Sequence, residues 1–268
     1  MSWDAIEGFR LVTTDLDRSS AFYQALGFRL QARTPIPRGE MALLGIAGEG
    51  LRQPMMLGPS RVDLDAFEHA GRAYPAGADA ASLCFQHLAL VTDDAAAAWG
   101  RAKRAGATPI SRHGAASLPP SAGAVTAVKF RDPDGHPLEF LHFPDDAAEG
   151  WPCHGLLGVD HSAISVSDVA ASLRFYAAHG LAPDQGSLNR GPSQVDLDGL
   201  DDVEVDVLPM RPRQASPHLE LLGYRLPKGR SCGPVASNDV AATRIVWRAG
   251  GAGLLTDPDG HWHQLDGG

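Results

Sequence analysis

Residues 128–143 read VKFRDPDGHPLEFLHF, and the interpretation of this stretch decides the fold. Two apolar, β-type runs flank Asp132-Pro133-Asp134-Gly135, where proline fixes φ and glycine permits positive φ, so the chain reverses in a tight turn. Behind the turn, Glu139 sits among Pro137, Leu138, Phe140 and Leu141. A carboxylate within an apolar strand is costly to bury unless something binds it. Lys129 or Arg131 is one available partner; a cation is another.

Working outward, the turn has an echo. Residues 255–261, LTDPDGH, repeat 130–136 almost letter for letter. Larger repeats surround both. Three times an apolar strand runs into a helix opened by aspartate and closed by glycine: Asp15 and Gly27, Asp94 and Gly106, Asp168 and Gly180, each pair 12 positions apart. Aspartate accepts hydrogen bonds from orphan backbone N–H groups at a helix start, and glycine suits the left-handed residue after its end. Strands are expected to follow at 40–46 and 54–57, at 125–130 and 138–143, and at 194–197, 203–208 and 218–226. A unit recurring at about 75 residues marks internal duplication. A fourth unit is shorter: Thr243-Arg244-Ile245-Val246-Trp247 is β-branched and aromatic, which predicts a strand where the helix would lie.

The division expected is 1–147, with modules at about 6–58 and 84–143, and 148–268, with one module at about 157–226 and a truncated one at about 232–266. The polar run 144–150 is the predicted boundary. Two long loops, 58–83 and 111–123, are candidate surface excursions or lids.

With 268 residues the chain can bury more than one core, and 44% hydrophobic with 21% charged residues is ordinary for a globular protein. A formal charge of −9 argues against nucleic acid or an anionic membrane as the main partner. No apolar run reaches the ~20 residues of a membrane span, and MSWDAIEGFR lacks a charged-then-apolar leader pattern. Cys84, Cys153 and Cys232, odd in number and without CxxC spacing, are expected as reduced thiols of a cytoplasmic protein.

The βαβββ unit, with its DLxxSxxFYxxLGF opening at residue 15 and its DPDGxxxE close, resembles the vicinal oxygen chelate superfamily over nearly the whole chain. That group includes glyoxalase I, methylmalonyl-CoA epimerase, extradiol dioxygenases, fosfomycin-resistance enzymes and bleomycin-binding proteins. The resemblance implies an α+β fold of tandem βαβββ modules forming cupped mixed sheets in two glyoxalase-like domains. It also implies metal ligands on the first and last strands of paired modules. Seven residues before the helix-start aspartate, and at the DPDGxxxE glutamate, the second module offers His87 and Glu139; the third offers His161 at the same offset and Glu220 in the strand Pro217-His218-Leu219-Glu220-Leu221-Leu222, which aligns with residues 136–141. The first offers only Gly8 and roughly Pro54, the fourth about Cys232 and Gln264. Four ligands meet only if the second module pairs with the third, within one chain or across a homodimer.

Two imidazoles and two carboxylates suit divalent Fe, Zn, Ni, Co or Mn with positions left for substrate oxygens. The resemblance then implies a glyoxalase- or epimerase-like lyase or isomerase acting on a small oxygen-chelating molecule, with Glu220 or Glu139 as general base. An extradiol-type dioxygenase is the alternative, although Lys129 stands where that group carries tyrosine. A metal-free binding or resistance protein is the third possibility. His218, two residues from Glu220 on the same strand face, is a rival ligand or supporting partner. His136, His142, His261 and His263 are expected in turns or on the surface. Asn189, Arg190 and Gln194, with Arg112 and His113, are candidate substrate contacts.

Overall fold

In a computed structural model, residues 2–144, 151, 154–214 and 217–267 are described. Cys153 and most of the predicted boundary, 145–150, lie outside them. The fold is α+β, with two mixed sheets and few helices.

The first-module strand Trp3–Val12 and the second-module strand Gln86–Thr92 each lead into a helix, Leu16–Leu26 and Ala95–Arg104; in the third module Leu156–Ser165 leads into Val169–Ala178. The carboxylates of Asp15, Asp94 and Asp168 accept from the backbone N–H three residues on, as the spacing predicts. Gly27, Gly106 and Gly180 all adopt positive φ at the helix ends. In the fourth module, residues 237–241 form turns and bends, and Arg244–Ala249 is the predicted strand.

Each sheet joins two modules through antiparallel pairing of their first strands. Gln86–Thr92 pairs with Leu156–Ser165, and Trp3–Val12 with Arg244–Ala249. The second and third modules thus share a ten-stranded sheet, and the first and fourth an eight-stranded one. Each sheet draws on both 1–147 and 148–268. Each first strand also lies parallel to its module's last strand: Gln86–Thr92 to Pro137–His142, Leu156–Ser165 to His218–Leu226, Trp3–Val12 to Ser60–Phe67 and Arg244–Ala249 to Trp262–Gly267.

Four expectations are corrected. The segments 40–46 and 194–197 are not strands but parts of short helices, Arg38–Leu44 and Pro192–Asp198. Their buried residues, Met41 and Leu44, then Gln194, Leu197 and Asp198, fall at helical spacing, a pattern too short to separate from alternation. The expected loop 58–83 begins with the strand Ser60–Phe67, so this strand, rather than 54–57, closes the first module. His263 is neither in a turn nor on the surface but buried in the strand Trp262–Gly267, whereas His136 and His261 sit at the DPDGH turns, where they too are buried. Finally, Cys84 and Cys232 form a disulfide. Sequence gave no hint of it because the pair is separated by 148 positions; the linkers after the first and third modules lie side by side, with Leu83 N–H donating to Arg230 O and Arg230 N–H to Ala81 O.

The two DPDGH turns are clasps between modules. Asp134 accepts from the Thr13, Thr14 and Ser19 hydroxyls and from Arg18, gripping the start of the first-module helix. Tyr23 donates to Asp132, and His136 Nε2 lies 2.8 Å from Val12 O. The other turn repeats the scheme: Tyr176 donates to Asp257, His261 Nε2 lies 3.0 Å from Ser165 O, and Asp259 accepts from Ser167 N–H.

Candidate metal centre

Strand register assembles the site. Across the central antiparallel pair His87 faces Ala163 and His161 faces Ala89; on the flanking parallel strands Glu139 lies beside Ala89 and Glu220 beside Ala163. Alternation sends all four side chains to one face. One ligand atom each of His87, Glu139 and His161 lies within 4.8 Å of the others. His87 Nε2 is 2.8 Å from Glu139 Oε2, and His161 Nε2 is 3.4 Å from Glu220 Oε2. The pairing that creates this cluster occurs within one chain.

The donor atoms fit a cation better than they fit one another. Both ring nitrogens of His87 and Nε2 of His161 are buried and make no hydrogen bond, the short contact to Glu139 being misaligned for one. Buried polar atoms are otherwise nearly always satisfied, so lone-pair donors converging without bonds are what a divalent ion would use. His161 Nδ1 lies 2.9 Å from Asp160 Oδ2, an arrangement that orients a ligating imidazole and leaves Nε2 for the ion. His218 stands beside His161 in register, with Nε2 3.5 Å from Glu220 Oε1.

Exposure rather than charge separates the two glutamates. Burial alone would raise both, but Glu139 is held down to about 2, chiefly by Lys129 and His87. Glu220 is likewise held at about 2 by His161 and His218. Burial pulls His161 down, yet Glu220 and Asp160 raise it to about 9; in His87 burial prevails and the value falls. Glu139 is buried opposite Lys129 on the neighbouring strand, whereas the Glu220 side chain is 18% exposed.

These residues line a cavity of about 440 Å³ between the second and third modules. Asn189 and Gln194 line it too, as do residues 121–123 of the predicted loop 111–123. His113 and Arg190 do not. His113 is exposed on the surface and bound to Asp196, and Arg190 reaches outward toward Glu204 at 3.7 Å. Arg112 pairs with Asp201.

Sequence reasoning missed Asp198 and Tyr224. Asp198 takes Lys129 Nζ at 2.7 Å and accepts from Gln194 and Tyr224. Its placement depends on the short helix misread as a strand.

In the other sheet, register puts Gly8, Asp63, Arg244 and Gln264 at the places of His87, Glu139, His161 and Glu220. This corrects the expected Pro54 and Cys232. A Cβ at Gly8 would come within 2.9 Å of Arg61 O, which leaves no room for a histidine. Instead, Arg52 binds Glu40 and Asp65, each at 2.6 Å, Arg244 binds Asp65 at 2.6 Å, and Arg10 binds Glu40. The second cup is filled by ion pairs.

The matching family profile, Glyoxalase/Bleomycin resistance protein/Dioxygenase superfamily, covers residues 5–140, and the chain belongs to this superfamily. Among solved structures, glyoxalase I from Zea mays matches at TM-score 0.64 and 17% identity, covering 98% of this chain and 92% of that one. A putative dioxygenase from Bacillus subtilis subsp. subtilis str. 168 matches at TM-score 0.58 and 14% identity, covering 98% and 85%. At such identities the likeness concerns the fold. Comparison with curated proteins found no match.

Proposed function

We propose that this chain is a metal-dependent vicinal oxygen chelate enzyme, a lyase or isomerase of glyoxalase or epimerase type, acting on a small oxygen-chelating substrate. The observation that carries the reading is the convergence of His87, Glu139, His161 and Glu220 in one cavity with buried imidazole nitrogens lacking hydrogen bonds. These four residues would hold divalent Fe, Zn, Ni, Co or Mn. Such an ion, when bound, supplies Lewis acidity and a template for two adjacent oxygens.

The protein's own groups divide the remaining work. Glu139, buried beside His87 and Lys129, is the fixed carboxylate. Glu220, partly exposed and bordered by His161 and His218, has freedom to turn toward substrate, take a proton from carbon at one carboxylate oxygen and return it. Asp160 orients the His161 ring.

Protein purified without chelator should contain about one equivalent of divalent metal and gain thermal stability from added ion. Glu220→Gln should weaken metal retention and abolish turnover while the metal-free protein melts as wild type does. A wild type with no metal and no response to divalent ions sinks the reading and leaves a metal-free binding protein.

One observation favours a second reading. His87, Glu139 and His161 bring ligand atoms within 4.8 Å of one another, a fully buried two-histidine, one-carboxylate set suited to Fe(II) oxygen chemistry. An extradiol-type dioxygenase would retain iron and consume oxygen with catechols.

A further inference from the structure

Resting on the metal reading above, we propose that the cavity selects an uncharged, largely apolar molecule that carries two adjacent oxygen donors, one of them a hydroxyl, and turns away its carboxylate counterparts. The charge of the lining points there. Among the described residues, Lys129 and Arg211 are its only lysine and arginine, against Glu139, Glu220, Asp160 and Asp184. Lys129 Nζ is committed to Asp198 at 2.7 Å, and Arg211 Nε to Asp184 at 2.6 Å. Counting Asp198 behind Lys129, five carboxylates face two cations, so even a bound divalent ion leaves the surroundings net negative. An entering carboxylate would lose hydration and meet only cations that already pair with a carboxylate, Lys129 buried and Arg211 half exposed.

The walls agree with the charge. Leu118, Leu141 and Phe143 come from the second module, and Leu197, Val207 and Leu222 from the third. They offer an apolar body surface to pack on, as small-molecule sites commonly do.

Gln194 sharpens the choice. Its Nε2 donates to Asp198 Oδ2 at 2.8 Å, and a carboxylate can only accept, so the amide orientation is fixed. That leaves Oε1 of Gln194, a residue that lines the cavity, screened from solvent and without a hydrogen-bond partner among the described residues. A bare acceptor calls for a donor such as a substrate hydroxyl and repels carboxylate oxygen.

The test uses matched probes, 2-hydroxyacetophenone and mandelate, with hydroxyacetone as the neutral probe lacking the apolar body. The protein is loaded with Co(II), its metal content measured, and binding followed through the visible spectrum of the ion. The expected order is 2-hydroxyacetophenone first, hydroxyacetone weaker, mandelate weakest, with a gap on the order of tenfold between the phenyl pair. Asp184→Asn, which frees Arg211 at the mouth, should tighten mandelate several-fold and leave 2-hydroxyacetophenone unchanged. Gln194→Met should weaken 2-hydroxyacetophenone several-fold at unchanged Co(II) content. Mandelate binding as tightly as 2-hydroxyacetophenone to metal-loaded wild type overturns this inference alone. Failure to bind Co(II) overturns the metal reading and this inference with it.

Discussion

Asp65 is fully buried and holds together two arginines from different modules, accepting from Arg52 and Arg244. Removing its charge leaves the buried Arg244 guanidinium without its counter-ion and Arg52 relying on Glu40, so Asp65→Asn should cost about 3–5 kcal/mol in denaturant unfolding at neutral pH. The effect depends on pH with a definite sign. Burial would raise Asp65, but Arg52 and Arg244 bring it below its ordinary value; Glu40 is lowered against burial by Arg52 and Arg10. A depressed folded-state value stabilises fully above the unfolded-state value and is lost as pH falls through the folded one. The gap between wild type and Asp65→Asn should therefore be full at neutral pH and shrink below about pH 4. Unfolding midpoints at several pH values measure it, and a constant gap down to pH 2 would contradict the ion-pair account. Glu139 belongs to the same scale. Its cost in an apolar strand was readable from its neighbours, and so was the matching His87, His161 and Glu220, because duplication placed them at equal offsets. The Arg244 cluster was not legible, since a surface and a buried arginine look alike in one dimension.

Between residues and the whole lie the DPDGH turns. Both dock on a neighbouring module's helix, but their grips differ: Asp134 accepts three hydroxyls and an arginine, whereas Asp259 accepts one backbone N–H. Asp134→Ala should thus destabilise by about 2–4 kcal/mol and Asp259→Ala by about 1 kcal/mol. Equal losses in thermal or denaturant unfolding would argue against the clasp. The turns themselves were legible through proline and glycine, and the three long helices through their aspartate and glycine ends. Helices Arg38–Leu44 and Pro192–Asp198 were not, because seven residues with two or three buried positions satisfy either period. Glu40 and Asp198, which each carry into a cup, went unrecognised with them.

At the scale of the molecule, the disulfide Cys84–Cys232 joins the linkers that follow the first and third modules. Closing so long a loop restricts the unfolded chain, so reduction should lower stability by about 2–4 kcal/mol in the chain-entropy account. A Cys84→Ser, Cys232→Ser double variant should melt lower and no longer respond to reductant, as differential scanning calorimetry can establish. The two cups also diverge at this scale. One keeps imidazoles and carboxylates around a cavity; the other, at the same register positions, is closed by arginines and acids.

By itself the sequence determined the repeating unit, the turns, the helix ends and the four candidate ligands. All of these are local patterns, or repeats of local patterns, that short-range backbone preferences and equal spacing reveal. Only the tertiary structure decided that the second and third modules meet within one chain, that Asp198 and Tyr224 stand behind Lys129, and that Cys84 reaches Cys232. Those contacts join residues tens to more than a hundred positions apart, brought together by strand pairing between modules, and no spacing along the chain encodes them.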